Sequence, residues 1–139
     1  MFQHIVVPVD FSEKNQRSME IALDLAATTG GTVYLVHVIE MIADTSFDEF
    51  RDFYQGIEQE AMQKMETLRT HFSGKAAQID QTITYGDRVS EIVRIATEQS
   101  ADLIVMNSHR IDLNDPASSL STISYKTTVL ANCPVLLVK

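Results

Sequence analysis

Short apolar, β-branched runs alternate along this chain with longer stretches in which apolar residues recur every three or four positions. The first run, His4-Ile5-Val6-Val7-Pro8-Val9, ends in Asp10-Phe11-Ser12 and predicts a strand buried on both faces, then a turn. Met19, Ala22, Leu23 and Ala26 follow at helical spacing, with Glu20 and Asp24 on the other side, until Gly30-Gly31 ends the pattern. Thr32 to Ile39 is a second buried strand, and Ile57, Ala61, Met65, Leu68 and Phe72 mark one stripe of a long helix that stops before Ser73-Gly74. Ile79 to Tyr85 alternates apolar and polar residues, as suits a sheet-edge strand with one wet face, and Gly86-Asp87 supplies a turn and a helix cap. Val89, Ile92, Val93 and Ala96 predict the next helix. Asp102 to Met106 reads as a fourth strand, Asn107 to about Ser119 as a polar loop, Ser121 to Ala131 as a helix and Pro134 to Val138 as the last strand.

Strict alternation of strand and helix forces parallel strands joined by right-handed crossovers, with helices on both faces of the sheet. The expected fold is therefore α/β, a three-layer sandwich around a five-stranded, parallel, doubly wound sheet that takes in residues 1–139 as one domain. The stretch from Asp44 to Tyr54 admits two readings. Phe47, Phe50, Phe53 and Tyr54 form either a packing stripe, which is preferred, or a loop that covers a ligand cleft.

Composition narrows the function classes. With 139 residues, 45% of them hydrophobic, the chain can bury one core without disulfides or metals. Its single cysteine, Cys133, excludes an internal disulfide and the usual zinc frameworks, so a reducing cytoplasmic setting is expected. Cys133 itself reads as a small buried thiol. No leader pattern opens the chain and no apolar run approaches the roughly 18 residues a bilayer span needs, so neither secretion nor membrane insertion is expected. A net charge of -8 disfavours DNA and RNA, because affinity for a phosphate backbone comes largely from Lys and Arg. Lys14 with Arg17, and Lys64 with Arg69, read as the spaced charges of solvated helix faces.

Ligands of open parallel sheets bind beyond the carboxyl ends of the strands, and Asp10, Val38 and the loop at Asn107 fall there. Asp10 is read equally as an acceptor for a base or ribose and as an ordinary helix cap. His37 lies inside the second strand and reads as a packed core histidine, since no Cys, Asp or second His stands nearby at metal-ligand spacing. His4, His71 and His109 are scattered, so no metal site is expected. Catalysis has no visible machinery: there is no G-x-S-x-G elbow, and Ser108 beside His109 does not make a nucleophile with a positioned base.

Several segments together carry a family likeness. They are Ile5-Val6-Val7-Pro8-Val9-Asp10-Phe11-Ser12, Leu35-Val36-His37-Val38, Gly86, Ala101-Asp102-Leu103-Ile104-Val105-Met106 and Asn132-Cys133-Pro134-Val135-Leu136-Leu137-Val138. In this order, over nearly the whole chain, they resemble the universal stress protein family. The resemblance implies an adenine nucleotide alpha hydrolase-like sheet, a homodimer and a cytoplasmic role in stress tolerance, and many such proteins bind ATP. The ATP-binding members carry G-x2-G-x9-G-[ST] after the fourth strand, where glycine lets backbone N–H groups crowd the phosphates and the hydroxyl residue opens a helix. Here Asn107, Arg110 and Ser121 stand at the three glycine positions and Thr122 at the Ser/Thr position, with ten residues between Arg110 and Ser121. Asp112 and Asp115 lie among those ten and are expected to repel a triphosphate.

The candidate cleft residues are therefore Asp10 and Val38 for a base and ribose, and Asn107, Arg110, Ser121, Thr122 and Ser124 for a phosphate or smaller anion. The other reading of the three hydroxyl residues is a helix start that satisfies its own N–H groups. Weak or no ATP binding is expected, with another adenine nucleotide as a candidate ligand. The apolar run Pro134 to Val138 has only Lys139 as a charged guard, so at a sheet edge it would pair with a second copy unless another element covers it. The leading expectation is a non-catalytic stress-response homodimer that works through protein partners. The alternatives are an ATP-binding sensor, and a nucleotide hydrolase or electron carrier of related architecture.

Overall fold

The computed structural model describes residues 1–75, 77–108 and 112–139. Five strands form one sheet: β1 (His4–Pro8), β2 (Thr32–Ile39), β3 (Gln78–Tyr85), β4 (Leu103–Asn107) and β5 (Val135–Val138). All pairings are parallel, and the spatial order is β3-β2-β1-β4-β5. Between the strands run α1 (Lys14–Ala27), α2 (Arg51–His71), α3 (Arg88–Glu98), α4 (Pro116–Leu120) and α5 (Ile123–Leu130).

Side chains of a strand point alternately to opposite faces, and that parity sorts the core into two layers. Ile5 and Val7 of β1, with Val33 and Leu35 of β2, pack against Met19, Ala22, Leu23 and Ala26 of α1 and Met65 of α2. Val6, Val36, Val38, Ile104 and Met106 face the other way, onto Ile92, Ile95 and Ala96 of α3 and Ile123 of α5. Helices thus cover both faces, as strict alternation predicts. The strand at one edge, β3, buries Ile79 while Asp80, Gln81 and Thr82 stay exposed, which is the wet edge its polar alternation foretold.

Local chemistry sets the junctions. Gly30 sits at φ +67 after α1, and the Gly31 N–H donates to the Ala26 carbonyl at 2.9 Å. A Cβ on Gly31 would lie 2.7 Å from the Gln3 carbonyl oxygen, so only glycine lets the incoming chain pass this close to the start of β1. Asp87 caps α3, accepting the Ser90 N–H at 2.9 Å and the Ser90 hydroxyl at 2.8 Å.

Two expectations need correction. The stretch from Asn107 to Ser119 is not loop throughout, because Pro116 opens the short helix α4, its fixed φ and missing N–H suiting a first helical turn. The helix expected from Ser121 instead begins at Ile123, since Thr122 is extended and accepts the Tyr125 N–H as a cap.

Within the aromatic stretch Phe47 and Tyr54 pack, while Phe50 and Phe53 stay exposed. Phe47 stacks on Tyr54 at 5.8 Å and meets Tyr85 edge-on at 5.6 Å, both between ring centroids. Tyr54 is fully buried, and its hydroxyl accepts the Ile42 N–H at 2.6 Å. Tyr85 donates to the Glu58 carboxylate at 2.8 Å; burial, with Glu58 beside it, pushes this phenol up to about 12. The cluster clamps the β2–α2 connection onto the end of β3. Among the described residues no helix is long and apolar enough to cross a membrane.

Candidate functional site

The chain leaves β1 toward β2 on one side and leaves β4 toward β5 on the other, so a crevice opens between them at the carboxyl ends of the strands. A cleft of about 450 Å³ occupies it, within the range of small-molecule sites. Asp10, Val38, Asn107, Ser121, Thr122 and Ser124 all line this cleft. Arg110 and His109 lie outside the described residues.

One wall is apolar, built by Val36, Val38, Ile92, Met106 and Ile123 from the second core layer. The end of β2 adds backbone. The Val36 carbonyl accepts the Val9 N–H at 2.8 Å, whereas the Ile39 carbonyl turns the other way to accept the Gly86 N–H at 3.1 Å. By the same alternation the N–H and C=O of Val38 point toward the β1 side, past the last β1 partner, Pro8. That places a donor and an acceptor side by side at the edge of an apolar slot, a pairing that suits the edge of a flat heterocycle.

The lining also includes Asp10 and His37. Asp10 does not cap α1; its Oδ1 accepts the Ser12 N–H at 2.9 Å, and its own N–H donates to Asn15 Oδ1 at 3.1 Å. Burial alone would raise this carboxyl, but the Ser12 N–H and hydroxyl, with Arg88 nearby, hold it below the usual carboxylate range. It therefore stands ionised as an acceptor. This tight turn leaves Phe11 at φ +65, with its ring tilted against His37 at 4.4 Å between centroids. His37 is half-buried and donates from Nδ1 to the Val9 carbonyl oxygen at 2.8 Å. Burial leads in holding its pKa below the ordinary value, so the imidazole is neutral at pH 7. It is packed, as its sequence position suggests, yet it also forms cleft wall.

The third side is a run of hydroxyls where β4 meets α5. Thr122 Oγ1 accepts the Tyr125 N–H at 3.2 Å and lies 3.2 Å from Ser124 Oγ. Ser124 donates to Ser108 Oγ at 3.4 Å, and Lys139 Nζ donates to the same oxygen at 3.1 Å. The Ser121 hydroxyl turns back to the Ser118 carbonyl at 2.9 Å. Thr122 thus follows the self-satisfied reading, while Ser108 and Ser124 join it in a polar cluster beside a cation.

The sequence profile of the Universal stress protein family matches residues 1–139. The chain belongs to the universal stress protein family. Universal stress protein G of Shigella flexneri is 28% identical over 146 residues, covering 100% of both chains. The solved structure of MJ0577, a universal stress protein of Methanocaldococcus jannaschii, superposes with a TM-score of 0.82 at 27% identity, covering 100% of this chain and 96% of that one. A universal stress protein from Archaeoglobus fulgidus, solved in complex with dAMP, shares the fold at a TM-score of 0.73 and 21% identity over 99% and 98% of the two chains.

The resemblance places a glycine motif of ATP-binding members along this side of the cleft. Asn107 and Ser121 bring side chains into its lining where the motif has none. Asp112 and Asp115 are exposed and are not among the residues that line the cleft. Lys14, read from its spacing as part of a solvated helix face, is exposed but lines the cleft too. Arg88 lines the cleft as well. It opens α3 after β3, and nothing local announces that β3 ends beside β2 and the slot. Among the described residues no group of His, Cys, Asp and Glu gathers to hold a metal. Cys133 is half-buried against the second core layer, and burial, then Asp102, push its thiol up, away from reactivity.

Proposed function

We propose that this universal stress protein is a cytoplasmic binding module rather than a turnover enzyme, and that its cleft takes a purine nucleotide with a short phosphate in preference to ATP. The observation that carries this reading is the phosphate end of the cleft. Ser108, Thr122 and Ser124 line it with hydroxyls, and the Lys139 ammonium is bonded to Ser108 Oγ, a donor set on the scale of a single phosphate. Asn107 and Ser121 meanwhile fill space that a glycine loop would leave for a polyphosphate. The apolar slot with the Val38 backbone suits the base, and ionised Asp10 suits ribose hydroxyls. A purine nucleoside monophosphate is the candidate class, a class to which the dAMP solved with the Archaeoglobus relative also belongs.

The reading extends to assembly. The outermost strand β5 exposes Leu136, and α5 beside it exposes Tyr125, Val129 and Leu130, an apolar edge that suits pairing with a second copy. As a homodimer with no hydrogen-bonded nucleophile and base among the described cleft residues, the protein acts through what it binds.

Calorimetric titration of the purified protein with AMP and with ATP, each with and without Mg²⁺, tests the reading. AMP is expected to bind more tightly than ATP, with no phosphate released from ATP on prolonged incubation. ATP affinity at or below about 10 μM, near -7 kcal/mol, or steady phosphate release, overturns it.

A further inference from the structure

Arg88 gives the base end of the cleft a chemical preference. It stands one turn before Ile92 on α3, and helical side chains lean toward the N-terminus, so its guanidinium lies at the mouth of the slot that Ile92 and Val38 line. The side chain is 41% exposed, and its ion-pair contact with Glu40 is long, 3.9 Å from Nε to Oε1. Its planar fork is therefore not locked by a bidentate carboxylate.

This end of the cleft is not a second phosphate site. Glu40 flanks Arg88 on one side and Asp87 precedes it, and Asp87 already occupies the N-terminus of α3. The Ser90 N–H and hydroxyl hold the Asp87 carboxyl below its ordinary range, so it is an anion there. These two carboxylates, with ionised Asp10 also near Arg88, repel a phosphate but still allow the guanidinium to donate to a neutral acceptor. The far end has the opposite character, since α5 is capped by the neutral Thr122, with Lys139 near. A nucleotide is thereby oriented with its phosphate at α5 and its base against Val38 and Arg88.

A guanidinium carries donors only. Along the edge that includes N7, a 6-oxopurine presents two acceptors, N7 and O6, whereas adenine presents the N7 acceptor beside the N6 amino donor. A fork that matches the first pattern meets a donor in the second. We infer that Arg88 makes the cleft selective for a 6-oxopurine nucleotide, guanine or hypoxanthine, over the adenine counterpart. The inference rests on the purine-nucleotide reading above and adds the identity of the base.

Calorimetric titration of the full chain with GMP, IMP and AMP, repeated on Arg88→Gln and Arg88→Lys, tests it. GMP and IMP are expected to bind about tenfold more tightly than AMP, the scale of one bidentate contact. In Arg88→Gln the ratio is expected to fall to about one through loss of GMP and IMP affinity. Arg88→Lys, which keeps the charge and loses the fork, is expected to follow it. Thermal melts that match the parent protein verify that both variants fold. AMP binding as tightly as GMP in the parent, or a ratio that survives Arg88→Gln, overturns the inference while leaving the purine-nucleotide reading in place. Failure of all three nucleotides to bind sinks both.

Discussion

His37 donates from Nδ1 to the carbonyl oxygen of Val9 at 2.8 Å, tying the end of β2 to the turn that follows β1. The bond fixes the tautomer and makes a ring that the sequence reads as packed core part of the cleft wall as well.

Acid should weaken the fold through this residue. Burial depresses the folded pKa of His37 below its ordinary 6.5, so the unfolded chain binds the proton first. The stabilisation is complete above the unfolded value and is lost as pH falls from there through the folded value. The carboxylates of Asp10, Asp87 and Asp102, held below 3.8, lose their contribution only at lower pH. Urea midpoints at about pH 7.5 and 5.5 should therefore fall on acidification in the parent and change less in His37→Gln. An equal fall in both would show that His37 is not the group responsible.

Gly31 and Gly56 should respond oppositely to alanine. A Cβ at Gly31 meets the Gln3 carbonyl oxygen at 2.7 Å and its Cα at 2.8 Å, both backbone, whereas at Gly56 in α2 nothing lies within 4 Å. Gly31→Ala is expected to cost about 2–3 kcal/mol through strain, and Gly56→Ala to add about 0.5–1 kcal/mol of helix stability. Chemical denaturation of the two variants reads both signs.

The cap of α3 should be measurable by itself. Asp87→Ala removes the acceptor of the Ser90 N–H and is expected to cost about 1 kcal/mol. Asp87→Asn, which can still accept, should recover most of that in the same unfolding assay.

The edge of the sheet should carry the proposed dimer. Leu136 is 39% exposed on β5, and a carboxylate placed there would be buried unpaired on association. Light scattering should give a dimer mass for the parent and a monomer mass for Leu136→Asp, with far-UV dichroism unchanged. A parent that runs as a monomer would remove the assembly from the proposal.

Much of the site was legible because its residues end strands. Asp10 follows an apolar run and Val38 nearly closes another, so each announces a position at the carboxyl edge, whereas Ser121, Thr122 and Ser124, at the start of a helical pattern, were marked by the family resemblance. Lys14 and Arg88 were not legible in this way. Both begin helices whose charges look solvated in one dimension, and Lys14 indeed remains exposed while lining the cleft. Asp112 and Asp115, though close in sequence to the hydroxyl cluster, are not among the lining residues, which sequence proximity alone does not decide.

What the sequence by itself determined is the set of elements and the face each residue takes. The periods of strand and helix are local properties, fixed within a few residues of backbone geometry. Only the tertiary structure decided which strands are neighbours, and hence that Arg88 after β3, Val38 in β2, Asp10 after β1 and Ser124 in α5 converge on one cleft. The order β3-β2-β1-β4-β5 arises from long crossovers and the burial of two core layers at once, and such distant contacts leave no mark on the local pattern of any single segment.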